Sequence, residues 1–396
     1  MPTVFFISSV VPDKKEYWTQ AFTRSGNNVL LGILSSLPQN GIITLSSLPI
    51  PSFPYGPLFI RGTKEVVENG KTINLLPFIN IMFIKDLCKG LMTAYYLWKW
   101  RKNNKSEVCK VLVYNIYTPP IFILYNVCKW LNIELYAMLY DLGVPPKRLK
   151  LSLPTMLGYK VSEFFAKRYI PKLDGRIVIN ESIINHYAPG RDFILIDGGI
   201  NAVIEEGLFP LEVSTEETYT FVCAGMLWDQ NGTKLILQAM ELNKQPNIRV
   251  IFAGKGNDVP LIQEAEKSDK RIKYLGMLTI DELMEVYKQS DVLLNLRIEE
   301  EEDFHFPSKL LEYMAIGRLV LSTNIAHAQR DYGDIIMFLN AVTPEELAKK
   351  MSEITLMSKV ELYEYGVRSR KFMLDNRTWK TRTKEILNYM KMTHNN

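Results

Sequence analysis

Phe304-His305-Phe306-Pro307-Ser308-Lys309-Leu310-Leu311-Glu312-Tyr313-Met314-Ala315-Ile316-Gly317 is the stretch on which the fold turns. A proline suits the first position of a helix, where its missing N–H leaves nothing unpaired. A glycine suits the left-handed cap that closes one. The pair predicts a short helix that begins at Pro307 and stops at Gly317. Its first amides, at Ser308, Lys309 and Leu310, lack partners within the helix and form an anion site at the positive end of the dipole. The Ser308 hydroxyl and the Lys309 ammonium stand beside that site. Glu312 lies four residues past Ser308, one turn further along the same face. A carboxylate there accepts bonds from ribose hydroxyls while the helix end holds a diphosphate. The alternative is a well-capped amphipathic helix with no ligand at all.

Working outward, Leu319 to Thr323 reads as a buried strand directly after this helix. Similar short apolar runs recur along the chain: Val4–Ile7, Ile42–Leu45, Val111–Tyr114, Leu135–Leu139 and Ile177–Ile179 in the first half. In the second half they are Thr220–Ala224, Arg249–Ala253, Lys273–Leu275, Val292–Asn295, Val320–Ser322 and Ile336–Phe338. Helical patterns separate them, among them Gly232–Leu242, Ile280–Gln289, Ser308–Ala315 and Pro344–Thr355. Such alternation predicts α/β architecture, with parallel sheets covered by helices on both faces. The pattern breaks over Asp197–Glu217, which holds Gly198-Gly199, Pro210 and several carboxylates, and then starts afresh. We therefore expect two doubly wound, Rossmann-like domains, at 1–200 and 201–376. A last helix over 377–396 is expected to cross back to the first.

Composition narrows the function. The chain has 396 residues, 47% hydrophobic and 23% charged, which excludes wholesale disorder. A net charge of +4 is too mild to imply nucleic acid. Cys88, Cys109, Cys128 and Cys223 form no CxxC pair, so neither a disulfide framework nor a zinc site is expected, and a reducing, cytoplasmic setting fits. No run of about 20 apolar residues predicts a spanning helix. Val4 to Ile7 reads as a buried strand rather than a leader.

Three glycine turns fall at predicted strand ends: Gly225 after Phe221–Ala224, Gly254-Lys255-Gly256 after Val250–Ala253, and Gly276 after Leu275. Strand carboxyl ends are where open parallel sheets bind ligands. With these turns in this order, Thr218 to Arg330 resembles the donor domain of the GT-B glycosyltransferases, in particular the retaining group 4 family. The first half resembles it in outline. The resemblance implies a Ser-Lys-x-x-Glu-x-x-Ala-x-Gly stretch in contact with a nucleotide sugar. Glu312 would hold the ribose, and Ser308, Lys309 and Leu310 the diphosphate. Leu278 would meet the base through its backbone, and Gly225, Gly254, Gly256 and Phe306 would line the donor site. Lys309 would stabilise the leaving group. Two features depart from the family. Phe304 stands where the first of two glutamates is usual, with Glu299 to Asp303 as candidate substitutes. The customary Arg and Lys after the first donor strand are replaced by Met226 and Asn231, with Lys309, Lys234 or Lys255 as candidate cations.

In the first half, Gly26 and Asn27 in Arg24-Ser25-Gly26-Asn27-Asn28 resemble the family's glycine-rich loop near the diphosphate, or else form a simple helix cap. Asp141 ends the strand Tyr136–Tyr140 and is a candidate to orient or deprotonate an acceptor hydroxyl, or a turn cap. Tyr114-Asn115 and Asn180-Glu181 end neighbouring strands. Trp98–Lys102 with Lys147, Arg148 and Lys150 fits an anionic membrane surface, or ordinary helix ends. The expected activity is transfer of a sugar from a nucleotide-diphosphate sugar to a glycan or lipid-linked acceptor, with retention. No metal and no cofactor are expected, and no nucleic-acid partner. Localisation is expected at the inner face of the membrane or in the cytoplasm. A nucleotide-sugar epimerase and an inactive nucleotide- or glycan-binding protein are the alternatives.

Overall fold

The computed structural model describes residues 2–67, 70–116, 120–140, 142, 153–200, 202–298 and 304–392. The chain divides into two compact units, Met1–Gly199 with Trp379–Asn396, and Ile200–Thr378.

The first unit runs β1 (Thr3–Ser8), α1 (Arg24–Ser36), β2 (Ile42–Ser46), β3 (Phe59–Ile60), β4 (Thr63–Val66), β5 (Thr72–Leu75), β6 (Phe78–Ile79), α2 (Ile84–Asn103), β7 (Cys109–Tyr114), α3 (Ile121–Trp130), β8 (Glu134–Leu139), α4 (Leu153–Tyr169), β9 (Gly175–Val178), α5 (Ser182–Tyr187) and β10 (Ile194–Leu195). The second runs α6 (Ala202–Glu206), β11 (Tyr219–Met226), α7 (Thr233–Leu242), β12 (Ile248–Lys255), α8 (Val259–Ser268), β13 (Ile272–Tyr274), α9 (Ile280–Lys288), β14 (Val292–Asn295), α10 (Ser308–Ile316), β15 (Leu319–Ser322), α11 (Ala328–Tyr332), β16 (Met337–Phe338), α12 (Pro344–Thr355) and α13 (Lys359–Asn376). The last helix, α14 (Trp379–Met392), belongs to the first unit.

In the first unit the sheet order is β10-β9-β8-β7-β1-β2-β5-β4, parallel except for β4 against β5. β1 lies between β7 and β2, so the connections leave it in opposite directions. Its core joins Phe6, Ile33, Leu34 and Tyr136 to Trp379, Ile386 and Met390 of α14. Trp379 packs so closely on α1 that a methyl group on Gly32 would fall on its ring. The buried guanidinium of Arg382 pairs with the buried Asp197 carboxylate and donates to the Gly198 carbonyl at 3.2 Å, which ties α14 to the chain just past β10.

The second sheet has the order β13-β12-β11-β14-β15-β16, all parallel. Numbered by appearance this is 3-2-1-4-5-6, the dinucleotide-binding topology, whose crevice opens where the order reverses, at the carboxyl ends of β11 and β14. The strands are continuous apolar runs because helices cover both faces; Val292–Asn295 and Leu319–Ser322 are buried throughout. The segment read from sequence as a linker is not structureless. Ile200 bridges to Thr378 and donates to the Arg377 carbonyl at 2.8 Å, and α6 follows.

Candidate functional site

The second unit gathers its candidate residues at the carboxyl edge of the sheet. Gly225 closes β11 with φ +107, and a Cβ there would sit 2.6 Å from Lys309 Nζ. The left-handed φ favours glycine here, and a Cβ would push that ammonium away from the strand end. Lys309 Nζ donates to the Ala224 carbonyl. Tyr313, one turn further along α10, receives the Ala224 amide on its hydroxyl at 3.1 Å. Strand β11 and helix α10 are thereby locked together, 85 residues apart in sequence. Gly254, with φ +134, lies so near β11 that a Cβ would fall on the Gly225 carbonyl oxygen, and its amide donates to the Gly276 carbonyl at 2.7 Å. Gly256 approaches the Leu227 carbonyl equally closely. The three glycine turns therefore meet side by side; close backbone approach requires Gly254 and Gly256, whereas a Cβ on Gly276 would meet nothing and its left-handed φ of +72 is what favours glycine there. Leu278 is half-buried in the same loop region, immediately before the Thr279–Glu282 capping box of α9.

The helix start differs in detail from the sequence expectation. Pro307 is the cap residue, with extended backbone, and Ser308 is the first helical residue. The Leu310 amide already donates to the Pro307 carbonyl at 2.9 Å, so only the Ser308 and Lys309 amides remain for an anion. Leu310 itself is fully buried. Phe306 is also buried, its ring stacked on His327 at 4.5 Å. Its ring is packed and seats the loop before α10. Phe304 is 3% exposed, so the position of the family's usual glutamate is filled by a core side chain.

Glu312 lies on α10 one turn beyond Ser308 and is half-buried. Burial raises its carboxyl pKa above the ordinary glutamate value, and the nearby Lys309 ammonium opposes that rise. Among the described residues its carboxylate accepts no hydrogen bond. A half-buried carboxylate with vacant lone pairs, beside an ammonium and two open helix amides, matches a diol next to a phosphate. Of the other candidate cations, Lys234 is paired with Asp229 at 3.2 Å, and Lys255 is exposed at the end of β12. Sequence reading passed over Arg297, which comes two residues after β14 at the point where the strand order reverses. Its signal was its place after the Val292–Asn295 run.

The first unit has its own opening at the equivalent place. A cavity of about 330 Å³ lies beyond the carboxyl ends of β1, β2 and β7, lined by Ser9, Ser47, Gly26, Asn27, Lys89 and Tyr114 among others. Gly26 and Asn27 fall in the first turn of α1, so the segment is a helix start, not an open loop. Asn27 is buried, and its amide makes two 3.0 Å bonds with the backbone of Val11. Its side chain therefore fixes the loop after β1. Lys89 is 5% exposed, lies 4.6 Å above the Phe78 ring and reaches Asp86 at 3.5 Å; burial lowers its pKa. Asn115 holds a left-handed backbone, φ 61, and accepts from the Tyr140 amide at 3.0 Å. Asn180 is buried and accepts from the Ser182 amide. Asp141, Glu299 to Asp303, Lys147, Arg148 and Lys150 lie outside the described residues.

Two α/β units, the second with dinucleotide-binding topology and a helix amide end facing the strand reversal, define the GT-B glycosyltransferase fold. Residues 218–356 match the family model described as glycosyl transferases group 1. The chain resembles a glycosyltransferase from Rickettsia africae at 14% identity, TM-score 0.68, over 100% of this chain and 99% of that one. It also resembles a sucrose-phosphate synthase from Thermosynechococcus elongatus at 12% identity, TM-score 0.65, over 98% of both chains. A third similar structure, described as trehalose-6-phosphate from E. coli bound with UDP-2-fluoro glucose, shares 12% identity at TM-score 0.64, over 98% of this chain and 99% of that one. No curated protein matches the chain in sequence.

Proposed function

We propose that the chain transfers a sugar from a nucleotide-diphosphate sugar to a hydroxyl of a glycan or lipid-linked acceptor, at a membrane surface, in surface polysaccharide or glycoconjugate synthesis. One observation carries the donor side. The Lys309 ammonium stands beside Gly225, on the first turn of the helix whose Ser308 and Lys309 amides begin it, while Glu312 presents vacant acceptors one turn further on. The cation and amides suit a diphosphate and the carboxylate suits a ribose. In the reaction the bond from the anomeric carbon to the diphosphate breaks and a bond to the acceptor oxygen forms. Negative charge grows on the leaving diphosphate, and the preorganised Lys309 cation and helix amides stabilise it there. Asp141 is the residue proposed to orient or deprotonate the acceptor hydroxyl. We take the configuration at the anomeric carbon to be retained and the reaction to need no metal, as the resemblance to group 4 enzymes implies. The cavity containing Lys89 and Tyr114 is the proposed acceptor pocket of the first unit.

The E. coli structure with UDP-2-fluoro glucose makes a uridine diphosphate sugar the first donor to try. The test is a panel of UDP-, GDP-, ADP- and TDP-sugars, read as binding and as donor hydrolysis. We expect one base to bind and turn over. Binding without turnover would favour a binding protein, a reading that the buried Phe304 in place of the usual glutamate supports. No binding by any donor overturns both. In Lys309→Met, affinity for the matching nucleoside diphosphate should fall roughly 10- to 100-fold, the worth of a charge-assisted bond, with the bare nucleoside unaffected. An equal loss for both ligands would refute the diphosphate role.

A further inference from the structure

The first unit exposes apolar surface where a soluble helix carries polar groups. On α2 the outward residues are Ile84, Leu87, Leu91, Tyr95 and Trp98, spaced three or four apart in one stripe and 40–63% exposed. Met82 and Phe83, 58% and 68% exposed, extend it beyond the start of the helix. On α4 a second stripe consists of Leu153, Met156, Leu157, Val161 and Phe164, 42–79% exposed. The two stripes belong to one surface. α3 lies between α2 and α4: Gly90 of α2 lets Ile123 of α3 approach, and Phe122 of α3 stacks on Phe165 of α4 at 4.9 Å. Right-handed crossovers keep these helices on one face of the sheet. Ten large, roughly half-exposed apolar side chains exceed the few hundred Å² that a monomer leaves in one patch.

The same segments hold the basic excess of the chain. Residues 81–105 contain six Lys or Arg against one acid, and residues 153–172 four against one. Their net +8 is twice the +4 of the whole chain, so the remainder is net negative. Lys99 and Lys102 lie against the rings of Tyr95 and Trp98, at 6.0 and 5.4 Å, at one end of the stripe. Aromatic rings flanked by lysines over an aliphatic stripe suit the headgroup boundary of a bilayer. No helix among the described residues is long and apolar enough to cross a membrane. A second copy of this face would oppose like charge with like, which disfavours self-association.

We infer that the α2–α3–α4 face of the first unit docks on an anionic lipid bilayer and lies in the interface plane. The inference rests on the reading of a membrane-associated acceptor and names the surface that meets the lipid. It is tested by sedimentation of the full chain with vesicles of phosphatidylcholine alone and with 30 mol% phosphatidylglycerol. The wild type should partition onto the anionic vesicles, and high salt should release it. Leu91→Glu with Phe164→Glu should weaken partition at least tenfold, and Lys99→Gln with Lys102→Gln about fivefold per charge, as expected near an anionic surface. Leu91→Gln with Phe164→Gln serves should the acidic pair fail to fold. Equal binding to neutral and anionic vesicles overturns the inference, as does unchanged partition of both apolar variants. A wild-type dimer in light scattering that Leu91→Glu dissociates overturns it in favour of a second copy. All these substitutions lie outside the donor site. Nucleotide affinity without vesicles should stay at the wild-type value, so failure here and failure of the transferase reading are distinguishable.

Discussion

Replacing Glu312 by glutamine separates ligand binding from folding, because the structure assigns opposite signs to the two effects. In the free protein the carboxylate is half-buried, accepts no hydrogen bond among the described residues, and has its pKa raised by burial. Ionised Glu312 is therefore a cost to the fold. Below the ordinary glutamate range both folded and unfolded chains hold the proton, and no cost appears. As pH rises through that range to the raised folded value, the unfolded chain releases its proton first, and stability falls. Glu312→Gln has no such dependence, so at neutral pH it should be at least as stable as the wild type in urea unfolding. Nucleotide binding should change the other way. A ribose diol donating to the carboxylate makes two bonds to a charged acceptor. Glutamine removes the charge and one oxygen, which costs about 2–4 kcal/mol, or roughly 30- to 1,000-fold in Kd. Titration calorimetry with the nucleotide that the donor panel selects, and with its 2′,3′-dideoxy analogue, makes the test. The variant should lose affinity for the ribose form only. Wild-type affinity should also rise with pH through the carboxyl titration, with proton release on binding. Equal affinities for both ligands in wild type and variant would refute the ribose contact. A variant less stable than wild type at neutral pH would refute the account of its burial.

Two further outcomes follow from the same physics. Gly254→Ala forces a side chain into φ +134 and onto the Gly225 carbonyl, which together should cost at least about 1–3 kcal/mol for the backbone alone; a urea midpoint equal to wild type would show that the β11–β12 edge is looser than described. Lys89 is buried with a lowered pKa, so its charge opposes folding below the folded pKa, and the cost fades as pH rises from there to the unfolded lysine value. Lys89→Met should therefore be more stable than wild type at neutral pH, with the gap narrowing toward alkaline pH in parallel melts; a gap that widens would contradict the sign.

Much of the donor unit is legible from local pattern. Val292–Asn295 and Pro344–Thr355 coincide with a strand and a helix because period and capping are properties of adjacent residues. The start of α10 was readable to within one residue for the same reason. The Leu310 amide was not, because a first turn that tightens onto the Pro307 carbonyl is a matter of geometry. The bond between Asn27 and the Val11 backbone was not legible either, because the two lie 16 residues apart. α2 misleads in another way. It buries Lys89 and Thr93 and exposes Leu91 and Trp98, so its pattern does not say which side is buried, and packing against α3 decides it.

Most strands of the two sheets, their alternation with helices and the helix that begins after Pro307 follow from local pattern. Those depend on spacings of two to four residues, which the chain carries wherever it goes. Packing between distant segments brings Lys309 to the Ala224 carbonyl, gathers the three glycine turns at one edge and makes Phe304 part of the core. Those depend on which strands become neighbours, and the order β13-β12-β11-β14 joins residues that no local period connects.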